Sequence, residues 1–142
     1  MKSILKTNLF VGSFIVRLMV GAVFLSEGIQ KFLFPLERGS GRFQKIGIPN
    51  AEFFGPMVGS FEIICGTFIL LGLFTRLAAI PTLFIMLIAI AVTKTEVLSD
   101  KGLWEMMHES RTDWAMLLGS IYLILFGGGK WSLDFLLLKK TK

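Results

Sequence analysis

The sequence is poor in residues that bind metals or carry electrons. It has a single cysteine, Cys65, and a single histidine, His108, among 142 residues. An intrachain disulfide is therefore excluded, as is haem ligation through two histidines. A carboxylate-bridged di-iron bundle needs two Glu-x-x-His motifs, whereas only Glu105 and His108 have this spacing. The sequence predicts no metal site.

Charged residues are also scarce, at 18% of the chain, whereas 54% of the residues are hydrophobic and the mean hydropathy is +0.71. A soluble domain of this length has too little interior to hide so much apolar surface. The net charge is +5, but the basic residues flank apolar runs instead of forming one basic face. This pattern indicates that membrane lipid surrounds the protein, and it gives no sign of nucleic-acid binding.

Four apolar runs approach the ~20 residues needed to cross a hydrocarbon core of about 30 Å. They predict an all-α fold, an integral membrane four-helix bundle, in which residues 1–142 form a single domain. The predicted helices cover approximately residues 8–34, 52–74, 77–93 and 113–128.

The connections between these runs suggest how the helices are arranged. Asn50 and Thr75 are placed to cap the second and third helices, and Gly72 is placed to end the second. The turn after Gly72 is so short that the second and third helices must be antiparallel neighbours. The two longer connections, 35–49 and 94–112, should then lie together at the opposite end.

Four spans place both termini on one side of the membrane. By our count from the sequence, about seven lysines and arginines lie on that side against about six on the other. Under the positive-inside rule this small excess predicts a multi-pass protein of the inner membrane with cytoplasmic termini.

Charged residues inside predicted membrane spans are costly and commonly functional. Arg17 and Glu62 fall at similar depths when counted from opposite membrane faces, so we predict an ion pair between them at mid-membrane. A second cluster lies toward the outer side, where Lys31 could bridge two carboxylates. Its members are Glu27, Lys31, His108 and Asp113. These charges either fix only the helix register or line a pocket that binds a head group or relays protons.

The order of several segments resembles the DoxX family of small four-helix membrane proteins, over roughly residues 14 to 136. The segments are RLMVGAVFLSEGIQKF, GRFQKIGIP, FEIICGTFILLGLFTRLAAIP and LFGGGKWSLDFLL. The resemblance depends on Arg17, on Gly28 and Lys31, on the segment around Glu62 and on the closing Ser-Leu-Asp. Glu27 stands where relatives commonly have histidine, and Asp113 matches the family's acidic residue at the start of helix four.

The family is associated with subunits of quinol oxidase and of thiosulfate:quinone oxidoreductase. The resemblance therefore implies an accessory subunit of a quinone-linked oxidoreductase or redox-stress complex, with a quinone as candidate cofactor and redox subunits as candidate partners. Lys31 would polarise a carbonyl oxygen of the head group. Electrons would have to come from a partner or a bound quinone, and the sequence leaves open whether the protein is itself an enzyme.

The alternative is a non-enzymatic membrane scaffold or chaperone that docks partner proteins. The glycine-rich helix faces, such as Gly55 and Gly59, suit such a role equally well. A small-solute carrier is a third interpretation, for which four helices could form a path only as a homo-oligomer.

Overall fold

The computed structural model describes residues 10–140. Within this range the chain is all-helical, with seven helices and no strand. The helices are α1 (Ser13–Leu33), α2 (Ser40–Lys45), α3 (Ala51–Leu71), α4 (Thr75–Lys101), α5 (Leu103–Glu109), α6 (Arg111–Phe126) and α7 (Leu133–Lys140).

Three helices in the described part of the chain are long and apolar enough to cross a membrane. They are α1 and α3, with 21 residues each, and α4, with 27 residues. At 1.5 Å per residue they are about 30–40 Å long, which matches a hydrocarbon core of about 30 Å. The protein is therefore an all-α membrane protein. The helix in the fourth predicted span, α6, has 16 residues and packs against α1 and α4.

Two ends of the helix assembly can be distinguished. The turn at residues 72–74 and the segment 127–132 lie at one end, which we call the short-turn end. The chain segments around α2 and α5 lie at the other, the long-loop end, where Arg38 and Glu109 line one cavity. The predicted meeting of the two long connections is confirmed by this shared cavity.

The helix ends follow the sequence only in part. Gly72 ends α3 as predicted, in the left-handed conformation at φ +68° that glycine adopts without strain. Asn50 occupies the N-cap position of α3 as predicted, but its side chain makes no capping hydrogen bond. Thr75 is the first residue of α4 and does not cap it, because Phe74 occupies the preceding position with φ +47°.

Close contact between α1 and α3 depends on glycines on both helices. A Cβ atom at Gly28 would lie 2.7 Å from the Gly59 carbonyl oxygen, and one at Gly21 would lie 2.9 Å from that of Gly66. Larger residues would therefore separate the two backbones. The buried core beside this contact includes Val20, Phe24, Cys65, Ile69 and Leu123.

In α4, burial is confined to one end of the helix. Its buried residues are Thr75, Ala78, Ala79 and Thr82, all near the short turn, and none after Thr82 is buried. The helix also continues to Lys101, beyond the predicted end at residue 93. Consequently α4 packs closely at the short-turn end and leaves space beside it toward the long-loop end.

Candidate functional site

A cavity of about 430 Å³ lies among the helices at the long-loop end. Its volume falls in the range of about 300–1,000 Å³ that is usual for small-molecule sites. The deep part is apolar and the part near the connections is charged. The apolar lining includes Phe24, Val58, Ile85, Met86 and Met116, and the charged lining includes Glu27, Arg38, Arg42, Lys94 and Asp113.

A buried ion pair between α1 and α3 also lines this cavity. The Lys31 Nζ atom lies 2.6 Å from Glu62 Oε2, and the two side chains are 10% and 4% exposed. Side chains in a helix lean toward its N-terminus. Because α1 and α3 run in opposite directions, Lys31 leans into the membrane and Glu62 leans outward, so their charged ends meet.

The contact leaves one carboxylate oxygen short of hydrogen bonds. Among residues 10–140, the buried Glu62 Oε2 has no hydrogen-bond partner of acceptable geometry, although the Lys31 ammonium is close to it. A buried charged oxygen with unused acceptor capacity is costly unless a further donor reaches it. The Glu62 residue also lines the cavity beside this oxygen.

The predicted Arg17–Glu62 ion pair is wrong, because Arg17 binds backbone carbonyls instead. The Arg17 side chain is buried at the short-turn end, with the residue 2% exposed. Its Nε donates to the Ile69 carbonyl (2.8 Å), its Nη2 to Leu70 (2.5 Å) and its Nη1 to Gly128 (3.2 Å) and Trp131 (2.6 Å). Two of these carbonyls belong to the last turn of α3, where the helix carries a partial negative charge.

Helix start and side-chain direction together explain why the prediction failed. The prediction measured the depth of Arg17 in the membrane from a helix start at residue 8. Because α1 begins at Ser13, Arg17 lies only about 6 Å from the helix start. Glu62 lies nine residues before the end of α3, or about 14 Å from the same end. Arg17 and Glu62 also lean toward opposite ends, since each leans toward its own N-terminus.

The predicted outer cluster is only partly present. Glu27, Lys31 and Asp113 line the cavity, but Lys31 does not bridge the other two. The Asp113 carboxylate instead pairs with Lys94 at 3.3 Å, and Glu27 lies 4.0 Å from Arg38.

His108 lies away from this cluster. It is exposed on α5, with its Nε2 atom 2.8 Å from Arg111 Nη1, and it is not among the residues that line the cavity. Its predicted place in the pocket is therefore wrong.

Sequence reasoning missed the role of two charged residues. Lys94 belongs to the predicted long connection, yet α4 continues through it and places its ammonium beside the cavity. Asp134, fully buried in α7, accepts hydrogen bonds from the backbone N–H groups of Phe74 (2.7 Å) and Thr75 (2.9 Å). It therefore supplies the cap of α4 from a distant part of the chain. An acidic residue within an apolar C-terminal run was the available signal for it.

Comparisons with known proteins agree with this architecture. One family model, DoxX, matches residues 12–95, and another, described as TQO small subunit DoxD, matches residues 54–142. The "Uncharacterized membrane protein Rv3486" of Mycobacterium tuberculosis (strain H37Rv) is 53% identical over 132 residues, which cover 89% of this chain and 81% of that protein. The "Putative oxidoreductase CatD" of Bacillus subtilis (strain 168) is 27% identical over 132 residues, covering 93% and 91%.

No solved structure significantly matches the chain. The DoxX match alone spans more than half of the 142 residues, from Gly12 to Thr95. The chain belongs to the DoxX family.

Proposed function

We propose that this protein is an accessory membrane subunit of a quinone-linked oxidoreductase, and that its cavity binds the quinone head group. The observation that carries the proposal is the buried Lys31–Glu62 pair in the wall of a cavity that also has an apolar lining. The name of the matching DoxD family, a small subunit, and the name of the Bacillus relative, an oxidoreductase, support the same class of function.

The lining residues fit the chemistry of a quinone. A quinone head group is a flat apolar ring with carbonyl oxygens, and its reduced form has hydroxyl groups in their place. Lys31 can donate a hydrogen bond to a carbonyl oxygen, and the Glu62 carboxylate can accept one from a hydroxyl. Phe24, Val58 and Met116 provide apolar walls for the ring.

When bound, a quinone would supply a two-electron, two-proton redox couple. The protein's own residues would bind, orient and exchange protons. Lys31 would hold the carbonyl oxygen, and Glu62 would serve as the nearest proton acceptor. Glu27 and Asp113, at the charged side of the cavity, are more exposed than Glu62 and would exchange protons with water. Electrons would come from a partner redox subunit.

We further propose that α6 is a fourth membrane span and that the protein lies in the inner membrane with cytoplasmic termini. The 16 residues of α6 extend about 24 Å, and residues 127–128 beyond its end are buried at the short-turn end. Local thinning of the bilayer and flanking polar residues accommodate a span of this length.

The proposal is tested by purifying the protein in native lipid and measuring bound quinone by mass spectrometry. We expect quinone to co-purify with the wild-type protein. The double variant Lys31→Met/Glu62→Gln, which leaves no unpaired charge, should lose it while remaining folded by circular dichroism. Lys45→Met is the control, because Lys45 is exposed at the same end and does not line the cavity.

Two results would contradict this function. One is wild-type protein that holds no quinone in native lipid. The other is quinone retained equally by the double variant. A stable partner protein that co-purifies without any small molecule would instead support the scaffold or chaperone alternative.

A further inference from the structure

The cavity reaches the surface of the protein between α3 and α4. Val58 of α3 and Ile88 of α4 both line it, and Ile88 is also 58% exposed. A side chain that lines a cavity and is also exposed stands at its edge. Val58 lies 13 residues before the end of α3 at Leu71, and Ile88 lies 13 residues after the start of α4 at Thr75. Since a short turn joins these helices, the two residues are level across the gap.

This opening lies at the depth of the lipid tails. Thirteen residues of helix place Val58 and Ile88 about 20 Å from the short-turn end. The hydrocarbon core is about 30 Å thick, so the opening lies about 10 Å inside its far boundary. At this depth, the opening is surrounded by the hydrocarbon tails of the lipids.

The two sides of α4 differ in polarity around the cavity. Lys94 points toward α6, where it pairs with Asp113. On the helical wheel, Ile88 and Val92 lie on the other edge of the lining face, and they are apolar. No residue of α4 after Thr82 is fully buried, so this edge of the helix is less enclosed than the short-turn end.

We infer that this apolar opening is a lateral entrance from the lipid, and that the ligand is a membrane-resident quinone whose hydrocarbon tail lies in it. The inference rests on the proposed function and adds the class of ligand and its route. A ligand dissolved in the membrane would bring its head group to Lys31 and Glu62 without crossing the charged lining. Its tail would remain between Val58 and Ile88, in contact with lipid.

The test compares two probes with the same head group in protein reconstituted into nanodiscs. One is 2,3-dimethoxy-5-methyl-1,4-benzoquinone, which has no tail, and the other carries a decyl tail on that ring. Ile88→Trp narrows the opening. Leu87→Trp is the control, because Leu87 is 46% exposed on the same helix and does not line the cavity. Partition of the decyl probe into lipid is the same for all variants, so differences between variants report on the protein.

We expect Ile88→Trp to weaken binding of the decyl probe roughly tenfold relative to the tail-free probe. Leu87→Trp should leave the ratio of the two affinities unchanged. If both probes bind the wild-type protein and Ile88→Trp alters neither affinity, or alters both equally, the lateral entrance is overturned and the proposed function stands. If neither probe binds the wild-type protein, the proposed function itself fails.

Discussion

The Lys31 ammonium lies 2.6 Å from the Glu62 carboxylate, although Lys31 is near the end of its helix and Glu62 is near the middle of its own. The pair therefore brings a charge from the edge of the membrane into its interior. Both side chains are at least nine-tenths buried, so neither charge has water to replace its partner.

Removing one member of this pair should be much worse than removing both. Glu62→Gln or Lys31→Met alone should lower the free energy of unfolding by about 3–5 kcal/mol, because each leaves a buried charge without its partner. The double variant should recover most of this loss. Unfolding in mixed detergent micelles measures the difference.

The exposed pair of Lys101 and Glu109 is the control for this series. Its side chains are 57% and 34% exposed, and removing either should lower the free energy of unfolding far less than removing Lys31 or Glu62. Single variants of Lys31 and Glu62 that are as stable as the wild type would show that the pair is not a buried ion pair in the membrane.

Arg17 should not be replaceable by lysine. Its three nitrogens donate four hydrogen bonds to carbonyls, and a lysine ammonium is a compact charge that cannot reproduce that planar arrangement. Arg17→Lys should lower the free energy of unfolding by about 2–4 kcal/mol, measured by the same method. Arg111→Lys, at an exposed position, should change it by less than about 0.5 kcal/mol. Equal effects at the two positions would contradict the role assigned to Arg17.

Asp134 should stabilise the start of α4. Asp134→Asn keeps one oxygen acceptor but replaces the other with a donor, so either the Phe74 or the Thr75 N–H loses its partner. We expect a loss of about 1–3 kcal/mol and faster hydrogen exchange of these two amides. The exposed Asp100→Asn is the matched control. Unchanged exchange at Phe74 and Thr75 would rule out the capping role.

Gly72 and Gly47 separate the cost of backbone conformation from the cost of crowding. Both have positive φ, +68° and +74°, but a Cβ at Gly72 would lie 2.6 Å from Arg17 Cζ, whereas nothing lies within 4 Å at Gly47. Gly47→Ala should therefore cost only about 1–2 kcal/mol for the left-handed conformation. Gly72→Ala should cost about 2–5 kcal/mol, because overpacking adds to it. Equal losses of thermal stability would disprove the crowding at Gly72.

Locating each terminus on one side of the membrane or the other tests whether α6 is a fourth membrane span. Four spans put both termini on the same side, whereas three spans put them on opposite sides. We expect fluorescent-protein fusions to either terminus to be fluorescent in cells, and alkaline phosphatase fusions to either terminus to be inactive. An active phosphatase at one terminus only would show that α6 does not cross the membrane.

The sequence was informative where the determining signal was local. The apolar runs identified the regions of α1, α3 and α4, because the length needed to cross a membrane is a property of each run. Gly72 was identified because a left-handed helix end favours glycine at one position. Both signals need no knowledge of the partner helices.

Local signals in the sequence did not predict which charged residues pair with each other. A shift of five residues in the start of α1 moves Arg17 by about 8 Å, which is enough to change its partner. The direction in which side chains lean could have favoured Lys31 over Arg17 as the partner of Glu62. The cap from Asp134 joins residues 60 positions apart, and nothing in the local sequence around Phe74 indicates it.

The contacts at the short-turn end also impose an order on biosynthesis. Arg17 is made well before two of its four carbonyl partners, Gly128 and Trp131, which lie 111 and 114 positions later in the sequence. Likewise, the first turn of α4 has no side-chain cap until Asp134 has been made. These distant segments of the chain must therefore meet before this region is complete, so a chain truncated after residue 127 would leave Arg17 without two of its carbonyl partners and the start of α4 without its cap.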